Sequence, residues 1–139
     1  MNVKPKFVFD TNLIISATLI SSSLSNKALK AAERLGIIYY SDETFAELTS
    51  VLFRSKFDKY LTVKERLDLL DRIKIRYQKV KTVSQFTNCR DFKDNMFLNL
   101  IVDINADCLI SGDKDLLVLH PFLNIPIITA PAFLAQYEK

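Results

Sequence analysis

Four acidic residues stand where a predicted α/β fold would bring them together. Asp10 directly follows Phe7-Val8-Phe9, a short apolar run with the aromatic and β-branched composition of a buried strand. Asp113 comes two residues after the fourth predicted strand, and Asp94 begins the helix that leads to that strand. Glu47 lies one turn into the helix after the second predicted strand. The spacing of these acids predicts a carboxylate site.

Carboxylates gathered at one point favour a hard divalent cation. They repel one another and raise each other's pKa values unless a cation compensates, and Mg²⁺ and Mn²⁺ prefer carboxylate and water oxygens. One or two such ions can position a phosphodiester and lower the pKa of an attacking water. Acid/base cleavage without metal needs two suitable groups, and His120 is the only histidine. We therefore expect metal-assisted phosphodiester chemistry.

Each acid also has a purely structural interpretation. Asp10-Thr11-Asn12 is typical of a helix N-cap. Asp94 and Asp113 suit the same role, and Glu47 suits a solvated surface. Asp91 competes with Asp94 for the site, and we select Asp94 because Asp91 lies in the middle of a loop. For any single acid the structural interpretation stays open, but it is the weaker hypothesis for all four at once.

The elements that must position the acids alternate between strand and helix. Strands are predicted at residues 7–9, 37–40, 79–83, 108–111 and 125–129. Helices are predicted at 13–20, from a cap at Ser25 or Asn26 to Gly36, from a cap at Ser41 or Asp42, from the capping box of Thr62 and Glu65, from about Asp94, and after Pro131. We predict one domain over residues 1–139, an α/β fold with a central, mainly parallel five-stranded sheet in a three-layer α/β/α sandwich.

This topology predicts which acids meet. Strand ends and the helix starts that follow them share one edge of a parallel sheet, so Asp10, Glu47 and Asp113 belong there. Asp94 precedes a strand and would begin at the opposite edge. It reaches the site only if the polar segment 85–93 runs back across the molecule.

Composition excludes several other classes. The chain has only two glycines, which disfavours glycine-rich phosphate loops. Its net charge of +3 permits an anionic partner without requiring one. Cys89 and Cys108 form no zinc motif and are expected as reduced thiols. Asp10 and Asn12 interrupt the N-terminal apolar run, and no stretch reaches membrane length. We expect a cytoplasmic protein without a membrane partner.

Six segments spread over nearly the whole chain carry a family resemblance. They include Phe7-Val8-Phe9-Asp10-Thr11-Asn12 and the more specific stretch around Ser111-Gly112-Asp113. Together they cover residues 7–12, 43–48, 51–57, 90–98, 106–117 and 128–134. The chain resembles PIN-domain ribonucleases, in particular VapC-like toxins of toxin–antitoxin pairs. One departure is Asp103-Ile104-Asn105, in place of the small, glycine-rich run common there.

The resemblance implies a Mg²⁺- or Mn²⁺-dependent endoribonuclease that cleaves single-stranded RNA, with one or two ions. It implies that Asp10, Glu47, Asp94 and Asp113 are both the catalytic acids and the metal ligands. Supporting positions are Thr11, Asn12, Ser111 and Asp115. It further implies a homodimer and a small antitoxin partner. RNA contacts are predicted for Arg54, Lys56, Lys59, Arg90 and Lys93, although each alone is better explained as a solvated cation.

Alternatives from other classes remain. A haloacid-dehalogenase-like phosphatase needs a second acid and a glycine where this chain has Asn12 and Leu13, and a receiver domain needs an acid at Val83-Ser84-Gln85. Both are disfavoured. A catalytically silent protein-binding module on the same fold remains, as does a PIN nuclease that works in RNA processing.

Overall fold

The computed structural model describes residues 3–138, in which strands and helices alternate along the chain. The elements are β1 (Lys6–Phe9), α1 (Thr11–Leu19), α2 (Leu24–Leu35), β2 (Ile37–Tyr40), α3 (Asp42–Leu52), α4 (Val63–Arg76), β3 (Gln78–Lys79), α5 (Asn95–Ile104), β4 (Cys108–Ile110), α6 (Lys114–Leu117), β5 (Ile127–Ile128) and α7 (Ala130–Tyr137). Single 3₁₀ turns lie at Ser55–Phe57 and Phe92–Asp94. None of these helices has both the length and the hydropathy needed to span a bilayer.

The sheet has the strand order β3-β2-β1-β4-β5, and each of its pairings is parallel. The predicted α/β fold with a five-stranded, mainly parallel sheet is confirmed. Strands β1 and β4 lie side by side at its centre, with Phe7 opposite Cys108 and Phe9 opposite Ile110. The chain moves outward from β1 through β2 to β3 and in the other direction from β4 to β5. The centre is therefore the point where the winding reverses, which is where open α/β sheets bind ligands.

Alternation of side chains along β1 divides the core into two layers. Phe7 and Phe9 face helices α1 to α4 and α7, and the ring of Phe7 packs edge-on against Phe133 at 5.1 Å between centroids. Val8 faces the opposite side, together with Leu109 of β4 and helices α5 and α6. Successive strand residues point to opposite faces, so one short apolar strand serves both cores.

Several predicted boundaries differ from the structure. The third strand was expected at residues 79–83, but β3 is only Gln78–Lys79. The backbone N–H groups of Val83 and Ser84 instead donate to the Asp103 carboxylate at the far end of α5. That carboxylate replaces sheet partners and draws the chain off the sheet. The fifth strand is also shorter, because Ile125 pairs with Phe122 in a turn and Thr129 caps α7.

Two helical details also differ. Helix α2 is capped by Ser23, whose hydroxyl accepts the N–H of Asn26, rather than by Ser25 or Asn26. On α4 the helical spacing of apolar residues places Val63 and Leu67 on the predicted buried face, but both are exposed. The buried position between them is Arg66, whose guanidinium donates to the Asp58 carboxylate and the Leu61 carbonyl. These partners allow a cation to occupy a place that periodicity assigns to an apolar residue.

Gly36 provides a test of how tightly the start of β1 packs against β2. A Cβ at this position would overlap the Pro5 carbonyl oxygen and lie 2.9 Å from a ring carbon of Phe7. We expect Gly36→Ala to lower the free energy of unfolding by about 1–3 kcal/mol, as overpacking does elsewhere. Gly112→Ala is the matched control, since its Cβ would meet nothing within 4 Å. Urea denaturation of both variants measures the difference, and equal stabilities would refute this packing argument.

Candidate active site

A polar cleft of about 100 Å³ lies at the carboxyl edge of the sheet. All four acids selected from the sequence line it, and so do Thr11 and Asn12. The complete lining is Asp10, Thr11, Asn12, Glu47, Val51, Arg54, Asp91, Lys93, Asp94, Phe97 and Asp113. The structure thus brings together side chains from four separated parts of the chain.

Asp10 serves as a helix cap and as a wall of the cleft at once. It follows the end of β1 and is only 5% exposed. Its Oδ1 accepts the N–H of Leu13 at 2.9 Å, and its Oδ2 accepts the hydroxyl of Ser111. Burial raises the pKa of Asp10 and the charge of Asp113 adds to that rise, whereas the bonds from Ser111 and Leu13 oppose it. Asp10 therefore fills both roles that the sequence left open, as the N-cap of α1 and as a carboxylate of the cleft.

Ser111 joins the two central strand ends. Its side chain is fully buried, and its hydroxyl donates to Asp10 while accepting the N–H of Asp113 at 3.0 Å. Asp113 is fixed further because its Oδ1 accepts the N–H of Asp115 at 2.9 Å. This chain of bonds holds Asp10 and Asp113 at the same edge with defined orientations.

Asp94 reaches the cleft because its turn is anchored at its base. The predicted segment 85–93 crosses toward the carboxyl edge and ends in the 3₁₀ turn Phe92–Asp94. Asn95, which is 4% exposed, accepts the N–H of Cys89 through Oδ1 and donates through Nδ2 to the Phe92 carbonyl. One buried amide therefore fixes both sides of the turn. The sequence alone did not show how Asp94 would reach the carboxyl edge of the sheet. The two hydrogen bonds of Asn95 hold it there.

The environment of Asp94 disfavours its charged form. Burial is the largest cause, followed by a hydrogen bond shared with Asp113 and by the negative charges of Asp113, Asp91 and Asp10. Together these raise the pKa of Asp94 to about 7. Its Oδ2 is buried and has no hydrogen-bond partner in the described part of the chain.

Glu47 enters the cleft from α3. That helix begins at a capping box formed by Ser41 and Thr44, both buried, and Leu48 anchors its inner face. Glu47 is half-buried beside this apolar face, as its position in the helix predicts. The carboxylate therefore approaches from a rigid helix rather than from a loop.

The donor set of the cleft suits a hard divalent cation. Five carboxylates line it, because Asp91 is present beside the four predicted acids. Besides Asp94 Oδ2, the hydroxyl of Thr11 is buried without a hydrogen-bond partner, so two oxygens of one cleft remain unsatisfied. Across residues 3–138, no group of three acidic, histidine or cysteine side chains is already close enough to enclose a metal ion. The chemistry of the donors fits such an ion, and which of them would ligate it stays a prediction.

The other predicted site residues fall into two groups. Arg54 and Lys93 line the cleft, whereas Lys56, Lys59 and Arg90 are exposed outside its lining. Asp115 does not line it either, and contributes its backbone N–H to Asp113. Asp91 is the residue that sequence reasoning set aside, and its spacing of three from Asp94 was the available signal.

Comparisons with known proteins find similar sequences over most of the chain. The sequence model of the PIN domain matches residues 6–115. An uncharacterized protein of Methanocaldococcus jannaschii, MJ1680, is 29% identical over 147 aligned positions, which cover 99% of this chain and 94% of that protein.

Two solved structures share the fold at low sequence identity. VapBC2 from Rickettsia felis, crystallised with a DNA fragment from its promoter, matches with a TM-score of 0.64 and 14% identity over 89% of this chain and 98% of that chain. PAE2754 from Pyrobaculum aerophilum matches with a TM-score of 0.66 and 11% identity over 96% of this chain and 90% of that chain.

Proposed function

The chain belongs to the PIN domain family, and from that premise we propose that it is a Mg²⁺- or Mn²⁺-dependent endoribonuclease that hydrolyses single-stranded RNA. PIN domains are generally nucleases that use divalent metal ions. The observation that carries the proposal is the convergence of Asp10, Glu47, Asp94 and Asp113 on one polar cleft with two unsatisfied buried oxygens. Acids that were merely solvated surface residues would not converge on one cleft from four separate parts of the chain.

In this proposal the four acids hold one or two cations. When bound, the cation supplies Lewis-acid stabilisation of the phosphodiester and acidifies the attacking water. Ser111 orients Asp10 through its hydroxyl, and the N–H of Asp115 orients Asp113. Thr11 offers a further oxygen in the same cleft.

The cations of the cleft suit the anionic substrate. Arg54 and Lys93 line it beside the acids, where they would contact phosphate oxygens flanking the scissile bond. Such contacts bind RNA without reading its sequence. Lys56, Lys59 and Arg90 lie farther out, where we assign them to contacts beyond the cleft or to solvent.

We propose a protein partner as well. VapBC2, which shares this fold, is a complex bound to a DNA fragment from its promoter. By analogy, the chain would act as the toxin of a toxin–antitoxin pair, with a small antitoxin that blocks the cleft, and would form a homodimer. A role in RNA processing is the alternative, and co-purification with the product of a neighbouring small gene distinguishes the two.

Cleavage of a labelled single-stranded RNA tests the proposed activity. The protein is treated with a chelator, and cleavage is measured before and after Mg²⁺ or Mn²⁺ is restored, with a duplex of the same sequence as the control. We expect cleavage only with metal and mainly of the single strand. Cleavage that persists under chelation, or none of any RNA with either metal, would contradict the proposal.

Removing the Ser111 hydroxyl should weaken the site without removing a carboxylate. In Ser111→Ala, Asp10 Oδ2 loses its donor and the N–H of Asp113 loses its acceptor. Groups that support metal ligands typically contribute about 10–100-fold to metal affinity or activity, and we expect a loss in that range. Mn²⁺ affinity measured by calorimetry checks it, with Ser111→Thr as the variant that keeps a hydroxyl. Unchanged affinity in Ser111→Ala would refute this role.

A further inference from the structure

Phe92 is the most exposed phenylalanine of the chain. It exposes 74% of its surface and Phe53 exposes 37%, whereas the other eight are buried or partly buried. A single exposed apolar side chain is common on protein surfaces and by itself indicates nothing. What distinguishes Phe92 is its place in the chain, between two residues that line the candidate active site.

The ring sits on a turn that is held in place. The carbonyl of Phe92 accepts from the side chain of Asn95, and the N–H of Asp94 donates to the Asp91 carbonyl at 3.0 Å. Asn95 in turn binds the N–H of Cys89. The backbone beneath the exposed ring is therefore anchored from the protein interior, so its position is fixed before any ligand arrives.

The neighbours of Phe92 tie it to the cleft. Asp91 and Lys93, on either side of it, both line the cleft, and so does Asp94 at the end of the same turn. Arg90 is exposed just before this turn, and Arg54 lines the cleft. Phe92 does not itself line the cleft, and its exposed ring lies beside it on the same turn as Lys93 and the carboxylates of Asp91 and Asp94.

We infer that Phe92 is a stacking platform for one base of the single-stranded RNA, next to the phosphate that is cleaved. This inference rests on the proposed function. Proteins that bind single strands combine cations for the phosphates with aromatic rings on which bases stack, and both parts are present here. An apolar protein partner fits less well, because Arg90 and Lys93, both exposed cations, lie within two residues of Phe92 in the chain. Stacking accepts any base, so Phe92 strengthens binding without setting a strict sequence.

Kinetics of Phe92 variants test this role. We expect Phe92→Ala to raise KM about 10-fold with kcat within about twofold, because stacking on an aromatic ring contributes mainly to binding. Phe92→Trp should retain the wild-type KM, since it keeps an aromatic face. Ile75→Ala is the matched control, because Ile75 is also highly exposed and lies near the end of α4 that leads into β3. The ring is exposed, so its loss should leave the thermal midpoint unchanged.

An RNA that lacks one base beside the scissile phosphate identifies the contact. On that substrate wild type and Phe92→Ala should have equal KM values, because the stacking partner is gone. An unchanged KM in Phe92→Ala on the intact RNA would overturn the inference. So would a change of oligomeric state in Phe92→Ala without a change in KM, since that result assigns the ring to a protein interface.

A binding measurement distinguishes failure of the stacking inference from failure of the proposed nuclease function. Fluorescence anisotropy of the same labelled RNA is measured with chelated wild type and Phe92→Ala. If wild type cleaves no RNA with either metal, the nuclease proposal fails, yet weaker binding by Phe92→Ala still supports stacking. Equal affinities for the intact RNA would overturn the stacking role whether or not the protein cleaves.

Discussion

Replacing Asp10 with Asn should reduce RNA cleavage by more than about 100-fold while leaving the fold intact. Loss of a group that supports a metal ligand typically lowers metal affinity or activity by about 10–100-fold, so loss of a central ligand should lower activity by more than that. The amide oxygen can still accept the N–H of Leu13, which preserves the cap of α1. The negative charge that would bind the cation is removed. Initial rates with saturating Mn²⁺ measure the effect.

Asp68→Asn is the matched control for this substitution. Asp68 is an exposed acid on α4 that pairs with Lys64 along the same helix, so it undergoes the same chemical change away from the cleft. Its rate should equal that of wild type. A rate for Asp10→Asn within a few-fold of both would show that the carboxylate at the end of β1 is not part of the catalytic site.

Asp94→Asn should change stability and activity in opposite directions. In the metal-free protein the burial of the Asp94 carboxylate and its crowding with Asp113, Asp91 and Asp10 destabilise the fold, and a neutral amide relieves both. We expect a gain of about 1 kcal/mol, equivalent to ~4 °C in thermal midpoint, a modest figure because solvent screens the half-exposed carboxyl. Cleavage with Mn²⁺ should meanwhile fall sharply, because one predicted ligand is lost.

The pH dependence of this gain follows from the raised pKa. The folded protein holds the Asp94 proton up to about pH 7, whereas the unfolded chain releases it near the ordinary aspartate pKa of 3.8. Between these values the unfolded state binds fewer protons, so the stability of wild type falls as pH rises. The difference in thermal midpoint between Asp94→Asn and wild type should be near zero at pH 4 and complete above pH 7. A difference in thermal midpoint that does not change with pH would contradict the raised pKa of Asp94. So would an Asp94→Asn variant that is less stable than wild type.

The sequence could predict the parts of the site that come from strand ends. A buried strand followed by an acid appears at Phe9-Asp10, and Ser111 and Asp113 follow another one. Because parallel strands share an edge, their meeting follows from topology alone. Glu47 was predictable for a similar reason, since α3 begins at that edge and helical spacing sets its exposure.

Other parts depend on contacts between distant residues, which no local pattern encodes. The arrival of Asp94 depends on Asn95 binding Cys89 and Phe92, and the early end of β3 depends on the Asp103 carboxylate. Asp91 was set aside because it lies in the middle of a predicted loop, and its spacing of three from Asp94 indicates a shared face only once the 3₁₀ turn is known. The exposure of Phe92 could not be predicted from the sequence either, because the turn that carries it was not predicted.

We propose that the carboxylates at the ends of the two middle strands hold a divalent cation. Calorimetric titration of Mn²⁺ into the chelated protein tests it most directly, with Asp10→Asn and Asp68→Asn titrated alongside. We predict one or two Mn²⁺ ions bound by wild type and by Asp68→Asn, and severely weakened binding by Asp10→Asn. Absence of Mn²⁺ binding by wild type, or equal binding by Asp10→Asn, would contradict the account.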